Sequence, residues 1–563
     1  MAAVRGGGFL IAETDPACVF TPEDFTEEHR AIARTAREFF ANEVAPNLEA
    51  IQHQEPGVAV AALRKSAELG LTSIAIPEEY GGLALDIASA MVAAEQIAGD
   101  GSYAAWHGAH TGIGTLPIVY FGTELQKRKY LPKLATAEMI AAYALSEPHA
   151  GSDALAARTR ADLSPDGTHY VLNGQKMWIT NGGVADLITV FAKVGGEQFT
   201  AFLVERAFGG VTSGAEEKKM GIKGSSTTAL YLDNVRVPVE NVLGEIGRGH
   251  IIAFNILNVG RLKLGAFALG GAKQVLAESI QYARERIAFG HPITDFGAIR
   301  HKLAEMALRI YATESMVWRT VGLIAPEESL KTIEEFAIEC SIIKVWASEM
   351  LDYVVDEGVQ IHGGYGYHQD YAVERAYRDS RINRIFEGTN EINRLLIPGM
   401  LFKRATRGQI PLVAAAQKVM GELLSGPPPE SGEEGMRLVG NAKKIALLAM
   451  GLAYQRYLAE LEKQQEVLMS ISDIMMETFA MESALLRSRK AAQGFALHAE
   501  VLLRDGMARV EVAARNVLAA CSEGDALRTN MAVLRRYAKY EPVDSIAMRR
   551  KIAEKLLGTG RYA

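Results

Sequence analysis

Cysteine is scarce in this sequence. Only three occur among 563 residues, Cys18, Cys340 and Cys521, and they form neither a CxxC pair nor a Cys/His spacing. We therefore expect no disulfide framework and no metal site, and a reducing, cytoplasmic location.

Long apolar runs and a strong charge of one sign are also missing. No stretch of roughly 18 uncharged apolar residues is present, so no transmembrane helix is predicted, and the N-terminal apolar stretch is too short for a secretory signal. The net charge is −7, which gives no whole-chain footprint for nucleic acid. With 48% hydrophobic and 23% charged residues, the composition is that of an ordinary globular protein.

What is present is a change of periodicity along a chain long enough for two or more domains. Helical spacing predicts helices over 31–45, 61–69, 83–98 and 125–134, with Thr21-Pro22 as a helix entry. From 141 to about 243, short apolar or alternating runs separated by Gly, Asn and Asp indicate strands and hairpins. Long helical periodicity returns after Gly249, broken at 289–295 and 363–367.

This order of helices, strands and helices lacks regular βαβ alternation, and no GxGxxG follows a strand. It predicts an α+β protein rather than a Rossmann fold. We expect four units: an N-terminal helical domain (1–140), a central antiparallel β domain (141–248), a C-terminal helical bundle (249–405) and an extra C-terminal helical domain (406–563). The stretch 425–435, rich in Pro, Gly, Ser and Glu, is the predicted linker.

Three segments are candidates for chemistry, although each has a structural explanation when taken alone. Residues 143–153 (YALSEPHAGSD) look like a polar loop, and Trp178-Ile-Thr180 looks like strand packing. Residues 384–391 (RIFEGTNE) contain Glu387, and a lone glutamate beside a glycine is more often a surface or capping residue than a catalyst.

Together, in this order and spacing, the three segments resemble the acyl-CoA dehydrogenase family over residues 21–405. Supporting segments lie at 286–290, 360–366 and 377–379, and the C-terminal extension is most similar to the very-long-chain type. The resemblance implies FAD-dependent α,β-dehydrogenation of fatty acyl-CoA thioesters, of long chain, to trans-2-enoyl-CoA, the first step of β-oxidation.

The resemblance assigns the catalytic base to Glu387. A carboxylate removes the α-proton of a thioester only if the developing enolate is stabilised; in the family, a flavin ribityl hydroxyl and the backbone N–H of the glutamate do this. Burial should raise the pKa of Glu387, and Gly388 is expected to leave room for substrate. Other members carry the glutamate just before an arginine in the helix after the β domain. Here that position is Gly260, before Arg261, so Glu387 is the one candidate.

The remaining site residues also come from the resemblance. Ser152 is expected near the thioester, and Arg261 near the CoA portion. Arg286, Gln360, Gly363 and Gly364 match groups that reach the FAD of a neighbouring subunit, which implies a homodimer. Phe289 is also expected to bind FAD. The positions expected to bind FAD within the same chain are Tyr143, Ala144, Leu145, Ser146, Trp178, Thr180, Thr389 and Glu391.

The resemblance also implies a partner: an electron-transfer flavoprotein is the expected electron acceptor. No nucleic acid is expected. The small residues of 108–114 either deepen the acyl pocket or merely allow close helix packing. The C-terminal extension is expected to cover the catalytic unit; the alternative is weak peripheral membrane contact through the basic clusters 535–539 and 549–551. Competing functions are an acyl-CoA oxidase, a dehydrogenase of a modified acyl thioester, and an assembly or scaffold protein.

Overall fold

The computed structural model describes residues 5–424, 433–491 and 494–562, and it confirms the predicted order of helices, strands and helices. Thr26, rather than Thr21, caps the first long helix: its Oγ1 accepts a hydrogen bond from the His29 N–H at 3.2 Å. Thr21-Pro22 begins only a short 3-10 turn, Pro22–Asp24. The N-terminal helices are α1 Glu27–Phe39, α2 Leu48–Gln52, α3 Val58–Glu68, α4 Ile87–Ile97, α5 Gly101–Gly108, α6 Leu116–Phe121 and α7 Glu124–Ala135.

The strands of the central unit form one eight-stranded sheet. Most pairings are antiparallel, as predicted, but β1 and β2 both run parallel to β4, so the sheet is mixed. Along the main path the strand order is β6-β7-β3-β2-β4-β5-β8, and β1 pairs with β4. The strands are β1 Ala141–Ala144, β2 Arg160–Leu163, β3 His169–Thr180, β4 Leu187–Val194, β5 Gln198–Glu205, β6 Val211–Glu216, β7 Thr227–Pro238 and β8 Val242–Leu243.

After the sheet, the chain is helical apart from a two-stranded hairpin at the predicted interruption. The helix α8, Gly249–Glu285, is long and apolar enough to cross a membrane by length and composition, but it is mostly buried inside the fold. The elements are β9 Ile287–Ala288, β10 His291–Pro292, α9 Gly297–Val321, α10 Ser329–Glu335, α11 Ala337–His362, α12 Ala372–Ser380 and α13 Asn390–Thr406.

The extension is helical, as expected. Of the predicted linker, residues 425–432 lie outside the described part of the chain, while Glu434 and Gly435 already belong to a helix. The helices are α14 Leu412–Leu424, α15 Glu434–Tyr457, α16 Gln465–Lys490, α17 Ala496–Cys521, α18 Gly524–Tyr537 and α19 Ser545–Thr559.

Two apolar cores meet at β1. One cluster of buried side chains runs through both helical units and the extension, and it includes Tyr143. A second fills the sheet and includes Ala142 and Ala144. Because side chains alternate along a strand, β1 presents Tyr143 to the helices and its neighbours to the sheet. The cavity described next lies at this junction.

Candidate functional site

A cavity of about 290 Å³ lies between the sheet, the helices α5 and α8, and the segment 372–387. The structure brings together six of the residues that the sequence singled out. Those lining the cavity are Tyr143, Leu145, Ser146, Trp178, Thr180 and Glu387.

Glu387 lies in a tight left-handed turn just before α13. Its φ is 58° and that of Gly388 is 81°. A left-handed conformation at a non-glycine residue costs on the order of 1–3 kcal/mol and persists where surrounding structure imposes it. Thr389 then caps α13, because its Oγ1 accepts a hydrogen bond from the Ile392 N–H at 3.2 Å. Trp178 and Phe289 also have positive φ angles, 58° and 55°.

One carboxylate oxygen of Glu387, Oε2, is buried and has no hydrogen-bond partner among the described residues. Burial raises the pKa of Glu387 to about 7, and the opposing charges of Arg261 and Lys344 limit that rise. A carboxylate poised near neutral pH is suited to act as a general base.

Gly260 on α8 faces this carboxylate. A Cβ added at Gly260 would lie 2.7 Å from Oε2 of Glu387, closer than real Cβ contacts. The vacant position noted in the sequence therefore adjoins the carboxylate of Glu387, and a side chain there would collide with it.

Arg261 lies behind Glu387 and is buried. Its Nε–H donates to the carbonyl oxygen of Glu387 at 3.1 Å, and its Nη1–H donates to Oδ1 of Asn258 at 2.9 Å. The structure therefore gives Arg261 a role in holding the Glu387 turn, and it does not line the cavity. A contact with CoA stays a prediction that this position does not support.

The first two sequence motifs are tied together beside the cavity. The Met177 N–H donates to the carbonyl of Ser146 at 3.0 Å, and the buried Lys176 ammonium donates to the carboxylate of Glu147 at 2.7 Å. A register shift between Lys176 and Ile179 then interrupts the pairing of β3 with β7. At this irregularity the side chain of Trp178 is 59% exposed.

This face fits the ring system of a flavin. An exposed indole and the hydroxyl residues Ser146 and Thr180 line one wall of the cavity, offering a flat apolar surface with hydrogen-bonding groups at its edge. The side chain of Ala144 instead lies in the sheet core, so only its backbone is available to a ligand.

Three other predicted residues line a separate hollow, which we call the arginine face, and two more are exposed close to them in the sequence. The three are Arg286, Gly363 and Gly364, and the guanidinium of Arg286 lies over the ring of Tyr365. Phe289 is 92% exposed, and Gln360 is exposed as well. No residue lines both this hollow and the cavity of Glu387, which is the separation expected if the face serves a neighbouring subunit.

Besides Ala144, Arg261 and the residues in or beside the arginine face, four more predicted residues do not line the cavity. Ser152 and Glu391 are exposed, and Thr389 serves as the helix cap. A Cβ at Gly388 would meet Asn393, so this glycine serves the turn rather than opening space. Their ligand contacts stay predictions.

Sequence reasoning missed two buried lysines near the base. Lys263 lines the cavity, and its Nζ donates to Oγ1 of Thr111 at 2.6 Å; burial lowers the pKa of this lysine to about 7. Lys344 donates to Oδ1 of Asn390 at 2.7 Å, and burial lowers its pKa to about 7 as well. The signal in the sequence that could have identified them is a lysine on an otherwise apolar helix face.

The cavity is long, because α8 contributes a continuous stripe to it. The lining residues recur every three or four positions, as one face of a helix requires. At 1.5 Å per residue, the stripe spans about 27 Å. Its members are Gly260, Lys263, Leu264, Phe267, Ala268, Gly271, Gln274, Val275 and Glu278.

Four family models match the chain in sequence order. They are the acyl-CoA dehydrogenase N-terminal domain over 26–138, the middle domain over 142–235, and two models both described as acyl-CoA dehydrogenase, C-terminal domain, over 247–400 and 441–536. The last match lies in the extension.

Individual relatives agree with these models. The chain is 49% identical to a probable acyl-CoA dehydrogenase of Bacillus subtilis (strain 168) over 99% of this chain and 98% of that protein. It is 46% identical to the mitochondrial very long-chain specific acyl-CoA dehydrogenase of Bos taurus over 59% of this chain, which spans only 51% of that enzyme. A crystal structure of an acyl-CoA dehydrogenase complexed with FAD from Bacillus anthracis superposes with a TM-score of 0.98, at 50% identity and with 100% of both chains covered.

Proposed function

We propose a long-chain reaction for this chain, which belongs to the acyl-CoA dehydrogenase family and is an FAD-dependent oxidoreductase. It removes the α- and β-hydrogens of a long-chain fatty acyl-CoA to give the trans-2-enoyl-CoA, the first step of β-oxidation. Glu387 is the base that takes the α-proton.

The observation that supports this assignment is the unpartnered carboxylate of Glu387 in the cavity. It has a pKa of about 7, and no neighbouring side chain within the described residues engages its Oε2. A base in this state accepts a proton without first breaking an internal hydrogen bond. Arg261 fixes the turn from behind through the Glu387 carbonyl.

The backbone of the same residue is the proposed donor to the thioester oxygen. The N–H of Glu387 makes no backbone–backbone hydrogen bond among the described residues. A donor fixed before the reaction stabilises negative charge as it develops on an oxygen. The strained turn thus supplies both a proton acceptor and a hydrogen-bond donor.

The cavity wall formed by Trp178, Thr180 and Ser146 is the proposed seat of the flavin ring. Bound FAD supplies the acceptor for the β-hydride. The chain contributes orientation: the indole covers the ring, and the hydroxyl groups engage its polar edge.

The length of the cavity supports a long acyl chain. An extended palmitoyl chain fits along the α8 stripe of about 27 Å and ends near the level of Gln274, about 21 Å from Gly260. Opposite this stripe, Ala104, Ala105 and Gly108 line the cavity with small side chains, which leave space where larger ones would close it.

The arginine face supports a homodimer in which each flavin is held by two chains. Arg286 offers a guanidinium for bidentate contact with phosphate, and the adjacent Gly363 and Gly364 have open space where a Cβ would stand. Phe289, which is 92% exposed, adds an aromatic side chain that a neighbouring subunit would cover. Equilibrium sedimentation, with flavin content measured in Arg286→Ala, tests this arrangement; a flavin-replete monomer would contradict it.

An electron-transfer flavoprotein is the proposed electron acceptor, and the cytoplasm is the proposed location. Three free cysteines suit a reducing compartment. The extension is proposed mainly to cover the catalytic unit, because its charged groups bond to that unit: Arg487 to Glu23 and Arg549 to Glu305.

The test is an anaerobic titration of the purified protein with palmitoyl-CoA, following the visible flavin band and the enoyl-CoA product. Bleaching with product formation is the expected result. A flavin that stays oxidised with palmitoyl-CoA but bleaches with a shorter or modified thioester would overturn the long-chain assignment. Rapid reoxidation of the reduced flavin by air would favour an oxidase, and absence of flavin after reconstitution would favour a scaffold.

A further inference from the structure

The far end of the cavity is chemically unlike its middle. From Phe267 to Gly271 on α8, and along Ala104 and Ala105 opposite, the walls are apolar. Beyond this section, a set of polar residues lines the cavity, which we call the distal collar. The distal collar consists of Asp100, Gln274, Glu278, Arg375 and Asp379.

The position of the collar follows from the packing of α5 against α8. Gly112 lies against Lys263, Gly108 at the end of α5 against Phe267, and Gly99 before α5 against Gln274, so the segment 99–112 runs antiparallel to α8 along the cavity. Glu387 faces Gly260 at one end of this arrangement. Gln274, which is exposed, marks the other end and brings it to the molecular surface.

In the collar, the carboxylate of Glu278 has remaining capacity to accept a hydrogen bond. Glu278 Oε1 accepts from the Gln274 amide at 3.0 Å, and burial raises the pKa of Glu278. The other two carboxylates are bonded by groups on other elements. Asp100 accepts from Gln52 at 3.0 Å and pairs with Arg375 at 3.3 Å, and Asp379 accepts from the Ile222 N–H at 2.5 Å.

A hydroxyl group both donates and accepts a hydrogen bond, and the collar provides both counterparts. Glu278 accepts, and the guanidinium of Arg375, which uses its Nε toward Asp100, donates. A carboxylate terminus would instead meet three acidic residues and one arginine. Like-charge contacts of this kind are unfavourable in a partly buried site.

We propose that the distal collar recognises the terminal hydroxyl of ω-hydroxylated long-chain acyl-CoA, so that such thioesters are preferred substrates. This inference rests on the proposed function, because it extends the acyl path that begins at Glu387. It predicts three rankings: ω-hydroxypalmitoyl-CoA above palmitoyl-CoA, both above the ω-carboxy analogue, and a reversed order for chains too short to reach the collar.

The experiment compares kcat/KM for these thioesters with the holoenzyme. A hydrogen bond to a charged group corresponds to a preference of about tenfold for ω-hydroxypalmitoyl-CoA over palmitoyl-CoA. Lauroyl-CoA should exceed ω-hydroxylauroyl-CoA, because the shorter chain leaves its hydroxyl among the apolar walls.

Two variants on α8 assign the preference to the collar. Glu278→Leu should reduce the preference, taken as the ratio of kcat/KM for the two thioesters within the variant, to less than about twofold. The matched control is Glu285→Leu, because Gln281 and Glu285 repeat the Gln274–Glu278 pairing one heptad later, outside the cavity. Glu285→Leu should keep the full preference.

Failure of this inference is distinct from failure of the proposed function. Efficient turnover of palmitoyl-CoA with no gain from the ω-hydroxyl, or a gain that survives Glu278→Leu, would overturn the inference alone. Bleaching by ω-hydroxypalmitoyl-CoA but not by palmitoyl-CoA would support it strongly. A flavin that neither thioester reduces would overturn both.

Discussion

Buried charges are treated in opposite ways in two regions of this molecule. At the end of the cavity near Gly260, Glu387 lacks a hydrogen-bond partner for Oε2, and Lys263 is hydrogen bonded to a threonine rather than to a carboxylate. The pKa of each lies at about 7. At the contact between catalytic unit and extension, buried charges pair closely. There, Oε2 of Glu314 accepts a hydrogen bond from the Arg487 guanidinium at 2.5 Å and another from the Tyr562 hydroxyl at 2.9 Å.

The pKa directions express this difference. Pairing lowers the pKa of Glu314 to about 2, whereas desolvation raises that of Glu387 to about 7. Lys273, on the same helix as Lys263, bonds both Glu95 and Glu314, and its pKa is raised. A paired charge is fixed and contributes to docking of the extension. An unpaired one remains free to exchange a proton.

The largest expected effect is a loss of turnover when the unpaired carboxylate of Glu387 is replaced. Glu387→Gln should keep the flavin and bind acyl-CoA, yet lower turnover by about two to four orders of magnitude, because the amide does not accept the α-proton. Turnover and flavin reduction by palmitoyl-CoA measure this.

Glu339→Gln is the matched control for that substitution. Glu339 is a second buried carboxyl with a pKa of about 7, but its Oε1 accepts from the Gly7 N–H at 2.7 Å and it does not line the cavity. Its variant should turn over within a few-fold of the parent. Similar losses in both variants would show that burial alone, rather than the position of Glu387, sets the effect.

Removing a paired charge between the catalytic unit and the extension should instead lower the stability of the protein. Arg487→Met leaves Glu314 and Glu23 with fewer counter-charges, and breaking a buried network by removing one partner costs about 3–5 kcal/mol. Urea unfolding of the holoenzyme should show a lower midpoint. Arg528→Met, which removes an exposed pair with Asp525, should leave the midpoint nearly unchanged. An equal midpoint in all three proteins would remove the proposed distinction between the regions.

This contrast also marks what the sequence predicts and what it does not. Periodicity located the helices and strands, because one buried face per element leaves its spacing in the chain. Thr21-Pro22, predicted as a helix entry, begins only the 3-10 turn Pro22–Asp24, and the first long helix begins after Thr26, which makes the capping hydrogen bond. The parallel pairings of β1 and β2 with β4 are long-range contacts that local spacing does not encode.

For the site, the motifs found the residues that share one cavity but not their individual orientations. Ala144 belongs to a correctly identified strand, yet its side chain faces the sheet core. Arg261 was expected near CoA, which stays a prediction, and the motif did not indicate that its guanidinium donates to the Glu387 carbonyl. Lys263 was not identified, since a lysine on a helix is usually solvated; only the packing of α5 against α8 shows that it is buried. Side-chain direction depends on tertiary packing.

The pH dependence of kcat/KM tests the pKa of the Glu387 carboxylate directly. Because Glu387 must be deprotonated to act and its pKa is about 7, kcat/KM should rise with pH and level off above neutrality. One pH unit below the pKa, the rate constant should be about tenfold below the plateau. The measurement uses the free-enzyme parameter kcat/KM. A flat profile from pH 5 to 8 would indicate an ordinary carboxyl pKa, like that of a paired or solvated glutamate.

The smallest expected effect comes from restricting the space that the unpaired carboxylate occupies. In Gly260→Ala the new Cβ would lie 2.7 Å from Oε2 of Glu387, so the carboxylate must shift by several tenths of an ångström. A displaced base loses alignment, and we expect kcat to fall by about fivefold to tenfold with flavin retained. Gly399→Ala is the matched helical control, since its Cβ meets nothing within 4 Å and alanine favours a helix. Because both variants add one methyl group inside a long helix, a loss of kcat confined to Gly260→Ala locates the effect at the carboxylate. An equal kcat in both variants would mean that Glu387 moves freely enough to absorb the contact.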